Sequence, residues 1–276
     1  MRLRSLLFVP GDRSDRFAKA VASGGDAIIL DFEDSVAPER KGIARAAVAD
    51  FLKASRQCTT LVRINPLSHP EVQDDLDAVL KHVPDAIMLP KAEGAASVRQ
   101  LIGREWHGDV PVLPIATETP AAIFELGTFR EVSSHLLGLT WGAEDLPAAI
   151  GASTSRGKDG AYTPPYEMAR SLALFAAHAA DVPAIETVYP DFRDEEGLAA
   201  YAARGRRDGF TGMMAIHPAQ VPIINAAFQP SAEELAEARA VVEAFAHNPE
   251  AGALSINGRM VDRPHLLQAQ RLIAQV

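Results

Sequence analysis

A closed (β/α)8 TIM barrel with a small C-terminal lid or oligomerisation segment is the fold the chain predicts, and three observations carry it. Eight short apolar runs alternate with helix-like segments, 276 residues suffice for one α/β domain of that size, and the alternation stops after the eighth run. Alternating strand and helix signals specify parallel strands with helical crossovers, and eight such units fit closure better than an open sheet. An open sheet is the alternative, because the sixth and seventh units are weak.

The first four strands are expected at residues 3–9, 27–32, 60–64 and 86–89, each bounded by polar, Gly or Pro residues. The series continues at 110–116, 136–140, 184–188 and 212–216. Helical patterns such as ERKGIARAAVADFLKAS and YEMARSLALFAAHAA lie between them. The opening RLRSLLFVPG is too short before Gly11 and Asp12 for a signal peptide and reads as the first strand. Beyond the eighth strand, helices are expected at 218–228, 232–246 and 265–273, with Asn257-Gly258 turning between two short strand-like pieces. The expected division is a barrel over 1–229 and a lid or oligomer arm over 230–276.

Composition narrows the function classes. A net charge of -9 argues against nucleic acid and acidic membrane as partners. No apolar stretch is long enough to span a bilayer. The single cysteine, Cys58, rules out an intrachain disulfide and points to a reducing, cytoplasmic location.

Candidate chemistry gathers where strands end. Glu118 follows the fifth run and Asp145 the sixth, so both carboxylates fall at strand C-termini, where barrels build their sites. Two hard oxygen donors suit Mg²⁺, which keeps several waters and takes only one or two protein carboxylates; helix capping is the alternative reading. Asp31 and Glu33 share one parity at the end of the second run, beside Asp34. Arg63, ending the third run, can clamp a carboxylate through two hydrogen bonds or form a structural ion pair. Lys91, after the fourth, can stabilise developing negative charge or act as an imine nucleophile. Gly11, Arg13 and Arg16 form a basic loop able to admit a phosphorylated cofactor, without the glycine spacing of a nucleotide fingerprint. Arg156 and Lys158 sit in a second polar loop, and His217 lacks any zinc-ligand pattern. Asp262, in the tail, can enter a pocket as an acid or serve a turn.

Taken together, SLLFVPGDR, AIILDFEDSV, LVRIN, IMLPK, PIATET, LTWGAEDL and GMMAIHPAQ resemble, in order, the motifs of the citrate lyase beta subunit family, which includes malyl-CoA and citramalyl-CoA lyases. The resemblance implies a magnesium-dependent barrel enzyme that cleaves a carbon–carbon bond in a carboxylated 3-hydroxyacyl-CoA. It implies Glu118 and Asp145 as metal ligands, and Arg63 as the contact to the small acid. Asp31 and Glu33 then organise the site, Asp262 is the tail's catalytic acid, and Gly11, Arg13, Arg16 and Lys91 contribute to substrate binding. A homo-oligomer, trimer or hexamer, with the tail closing a neighbour's site, is expected from the same likeness. Cleavage of citryl-ACP with an acyl-carrier partner and hydrolysis of malyl-CoA are the alternatives that this family's fold supports.

Overall fold

The computed structural model describes residues 2–104, 110–158 and 160–274. It divides into two compact units, Leu3–Phe228 and Gln229–Val276, with Arg2 grouped in the second.

The first unit is built on eight parallel strands: β1 (Ser5–Pro10), β2 (Ala27–Asp31), β3 (Thr59–Arg63), β4 (Ala86–Leu89), β5 (Val112–Pro114), β6 (Leu139–Thr140), β7 (Ala184–Glu186) and β8 (Gly212–Ala215). Their order is β5-β4-β3-β2-β1-β8-β7-β6. Parallel bridges from Val112 to Leu136 and from Ile115 to Thr140 join β5 to β6, so the ring closes. The closed barrel, and not the open sheet, is the fold. The sixth and seventh strands, the weak units of the sequence, are shorter than the apolar runs that announced them. Gly138 lets β6 approach β7, since a Cβ there would lie 2.8 Å from the Pro183 carbonyl oxygen.

Alternation along each strand sorts side chains into two layers. Leu6, Ile29, Leu61, Met88, Leu113, Ile185 and Met214 fill the barrel interior. Leu7, Ile28, Leu30, Val62, Ile87 and Val112 pack outward in the layer shared with the helices. Crossover helices include Lys41–Lys53, Gly94–Ile102, Pro164–Ala179 and Glu195–Asp208. Their starts carry the expected signals: Pro occupies the first turn of Pro164–Ala179, and Asp194 caps Glu195–Asp208 by accepting from the Gly197 N–H. The inward parity has a functional consequence. Phe8, Asp31 and Arg63 continue the registers of Leu6, Ile29 and Leu61, which places them at the C-terminal mouth.

In the second unit, a helix at Ala232–His247 begins with a Ser231–Glu234 capping box. An antiparallel hairpin, β9 (Ala253–Ile256) and β10 (Arg259–Asp262), turns through Asn257 and Gly258 at φ 51° and 76°. That pair of left-handed residues is what the Asn-Gly signal predicts. A helix at Arg263–Ile273 follows directly, two residues earlier than its apolar pattern suggests, because Pro264 suits a first turn and Asp262 caps it. Among the described residues no helix is long and apolar enough to cross a membrane.

Candidate active site

At the C-terminal mouth, a cavity of about 400 Å³ is lined by two unlike halves. Asp31, Asp34, Arg63, Glu118, Glu144 and Asp145, from the ends of β2, β3, β5 and β6, supply charge. Phe8, Val188, Met214 and Ile216, from β1, β7 and β8, supply an apolar wall.

Asp31 and Arg63 are register partners on β2 and β3. Arg63 donates from Nε to Asp31 Oδ1 and from Nη2 to Asp31 Oδ2, both at 2.7 Å. Two of its five N–H bonds are thus committed, and the rest remain on the Nη1 and Nη2 side. Its plane lies over the Phe8 ring, 4.9 Å from the centroid. Asp31 also accepts from the Ser35 hydroxyl at 2.5 Å and from the backbone N–H groups of Glu33 and Ser35. Burial opposes its charge, but Arg63 and Ser35 outweigh that and hold its carboxyl below the usual range.

Glu33 takes a hydrogen bond from the Lys91 ammonium on Oε1 at 2.8 Å. Its Oε2 lies 2.8 Å from Arg63 Nη1 yet receives no hydrogen bond, which leaves a buried carboxylate oxygen unsatisfied. Burial pushes the Glu33 carboxyl upward despite both cations. Lys41, itself buried, donates to the carbonyls of Phe32 and Glu33 and to Asn65, fixing the loop that carries this acid.

Glu118 is 4% exposed, and its Oε2 accepts from the Lys91 backbone N–H at 2.6 Å. Burial is the main reason its carboxyl is pushed up to about 8, with the negative charges of Glu33 and Asp145 adding to it. Gly142 makes room for it: a Cβ at that position would sit 2.9 Å from Glu118 Cγ. Asp145 stands at the N-cap of Leu146–Ile150 but makes no capping hydrogen bond, so its carboxylate is available to the cavity. Lys91 Nζ lies 3.4 Å from Asp145 Oδ1.

The donor set fits Mg²⁺. Two carboxylates face one cavity, one of them almost wholly out of solvent, and an unsatisfied buried oxygen stands in the same cluster. Among the described residues no three His, Cys, Asp or Glu side chains converge as a closed metal cage. Glu118 and Asp145 plus water and substrate oxygens is the arrangement this hard cation prefers.

The other residues singled out from sequence fall elsewhere. Arg16 lines a second cavity of about 510 Å³, with Lys19 and His217. Phe8, Pro10 and Ile216 line both cavities, so the two adjoin. Gly11 donates to the Asp31 carbonyl at 2.8 Å, and a Cβ there would lie 2.6 Å from that oxygen, so this glycine packs the mouth. Arg13 pairs with Asp15. Arg156 stacks on Tyr162, 3.8 Å from its centroid, and donates to its hydroxyl. In the second unit, Asp262 Oδ1 is 2.5 Å from His265 Nδ1. The hydrogen bond from His265 is the main reason the Asp262 carboxyl lies below its usual range. An ionised carboxylate only accepts, so the imidazole N–H donates.

Sequence reading missed His265, Lys41 and Glu186. Glu186, fully buried on the outward face of β7, accepts from the Trp141 indole at 2.5 Å, the Tyr201 hydroxyl at 3.0 Å and the Arg170 guanidinium at 2.7 Å. It anchors Trp141, which begins the WGAED turn leading to Asp145. A charged residue at the end of an apolar run was the available signal.

Comparison with known proteins places this geometry. The model of the HpcH/HpaI aldolase/citrate lyase family matches residues 4–218. The chain belongs to the HpcH/HpaI aldolase/citrate lyase family. Within it, the chain is 40% identical over 268 residues to a citrate lyase subunit beta-like protein of Mycobacterium tuberculosis, covering 97% of this chain and 93% of the relative. It is 32% identical over 292 residues to the mitochondrial citramalyl-CoA lyase of Mus musculus, covering 98% and 85%. A crystal structure of protein CitE from Mycobacterium tuberculosis, in complex with magnesium, acetoacetate and coenzyme A, superimposes with a TM-score of 0.83 at 38% identity, covering 99% and 98%.

Proposed function

We propose that this chain is a magnesium-dependent lyase that cleaves a carbon–carbon bond in a carboxylated 3-hydroxyacyl-CoA of the malyl-CoA or citramalyl-CoA class, giving an α-keto acid and an acyl-CoA. The observation that carries this reading is that Glu118, Asp145 and Arg63 share one cavity, in a family with a relative crystallised with magnesium, acetoacetate and coenzyme A. The adjoining cavity, lined by Arg16 and Lys19, has the cations to take the phosphates of the CoA moiety.

Glu118 and Asp145 would hold Mg²⁺, which when bound draws charge onto the carbonyl oxygens of substrate and products. Arg63 grips the substrate carboxylate with the N–H bonds Asp31 leaves free, and Asp31 and Glu33 fix the guanidinium in place. Lys91 adds positive charge beside the acids. Asp262, ionised at rest, accepts the substrate hydroxyl proton as the carbon–carbon bond breaks and its electrons pass into the thioester enolate. The same carboxyl group then protonates the enolate carbon, so protons balance. We assign Asp262 to the site of a neighbouring copy in a homo-oligomer, trimer or hexamer, working in the cytoplasm without an acyl-carrier partner.

Incubation with malyl-CoA, citramalyl-CoA and citryl-CoA, followed by mass spectrometry, tests the reading. A keto acid and a shorter acyl-CoA support it. Free CoA with an intact hydroxy acid identifies a thioesterase, and inertness toward every CoA ester identifies a carrier-dependent subunit.

A further inference from the structure

Lys91 touches the site in three ways that no single role requires. It follows Pro90 with φ 51°, a left-handed conformation in which only a few non-glycine residues occur. That backbone points its N–H at Glu118 Oε2, 2.6 Å away. Its ammonium bonds Glu33 Oε1 at 2.8 Å and stands 3.4 Å from Asp145 Oδ1. One residue therefore engages both carboxylates assigned to the metal and the neighbouring acid. Strain of this kind persists where surrounding structure over-determines it, typically at functional positions.

We propose that Lys91 is a positioning residue that serves as an internal cation, holding the metal carboxylates together before Mg²⁺ arrives and giving up Asp145 when it binds. The inference rests on the assignment of Glu118 and Asp145 as the metal ligands. Three acids converging on a mostly buried site repel one another, and a cation among them offsets that repulsion. Mg²⁺ held by Glu118 and Asp145 would share the ammonium's sign of charge, and Lys91, 3.4 Å from Asp145, would oppose its binding. Its hydrogen bond to Glu33, well buried, keeps it tethered beside the site. A lysine that merely braces the loop would stabilise the protein equally with and without metal and would leave metal affinity unchanged.

The test is calorimetric titration of the full-length, metal-stripped protein with Mg²⁺, paired with thermal unfolding before and after loading. Lys91→Met should bind Mg²⁺ at least about fivefold more tightly than wild type, unfold at a lower temperature when stripped, and gain more from loading. Lys91→Gly relieves the backbone and loses the same charge, so it should show the same tightening. Lys91→Arg keeps the charge and should stay within about twofold of wild type. Unchanged or weaker Mg²⁺ binding by Lys91→Met overturns the proposal, as does equal tightening by Lys91→Arg. If wild type itself fails to bind Mg²⁺, the metal assignment falls and the proposal with it, whereas normal wild-type binding with no shift in the variants removes the proposal alone.

Discussion

Asp31 and Arg63 are paired side by side on β2 and β3, and two parallel hydrogen bonds of 2.7 Å lock the guanidinium edge against the carboxylate. The fork leaves the far side of Arg63 for substrate and sets its angle. Lysine keeps the charge but cannot make the fork. Arg63→Lys should retain the fold by circular dichroism and lose about 30-fold or more in kcat/KM, given that breaking a buried charge-paired contact costs about 2–5 kcal/mol. Wild-type turnover across the candidate acids would move Arg63 to a structural role.

The same pair makes stability depend on pH. The Asp31 carboxyl is held below its ordinary value in the folded state, so its contribution is complete above the unfolded value near 3.8 and is lost as pH falls through the folded one. Urea midpoints should therefore drop more steeply between pH 5 and pH 3 for wild type than for Asp31→Asn (roughly the window set by an ordinary aspartate). Parallel curves would show that the pair contributes nothing.

Gly142 is a test of the Glu118 assignment that leaves every charge in place. A Cβ there must displace Glu118, because 2.9 Å from its Cγ is too close for real contact. Gly142→Ala should cost about 1–3 kcal/mol in stability, the usual range for overpacking, while weakening Mg²⁺ binding measured by calorimetry. Undiminished affinity would place the ion elsewhere.

Glu186 and Arg170 form an ion pair at 2.7 Å in the layer between barrel and helices, both nearly inaccessible to solvent. Among the described residues, Glu186→Gln leaves the guanidinium with Asp208 as its one ionic partner. It should destabilise the protein by about 3–5 kcal/mol in thermal or urea unfolding. A change under 1 kcal/mol, by contrast, would show that about the full pair energy is not at stake.

Much of this was legible in the residues, and the pattern of what was not is physical. Eight apolar runs announced eight strands, and the ends of those runs carried Asp31, Arg63 and, a few residues on, Lys91, Glu118 and Asp145. Parity along the second run grouped Asp31 with Glu33, while the interior register that Asp31 shares with Arg63 came only with the closed barrel. What sequence could not supply was pairing across the barrel: Lys91 meets Glu33 from 58 positions away, and Trp141 meets Glu186 from 45. Gly11 read with Arg13 and Arg16 as a loop able to admit a phosphorylated cofactor, and its N–H bond to the Asp31 carbonyl was not legible there. Strand ends shifted too: β5 and β6 span only Val112–Pro114 and Leu139–Thr140 of their apolar runs. His265 escaped because a histidine three residues after an aspartate is an ordinary sequence until Asp262 caps the helix that presents it.

The central claim is that carbon–carbon cleavage requires a metal held by Glu118 and Asp145. Its most direct test is the rate of keto acid release from citramalyl-CoA and malyl-CoA by metal-stripped enzyme, before and after Mg²⁺ is restored, with Glu118→Gln alongside. Stripped enzyme should release no keto acid and recover fully on adding Mg²⁺, and Glu118→Gln should not recover. Undiminished keto acid release by the stripped enzyme, or by Glu118→Gln, would contradict that claim.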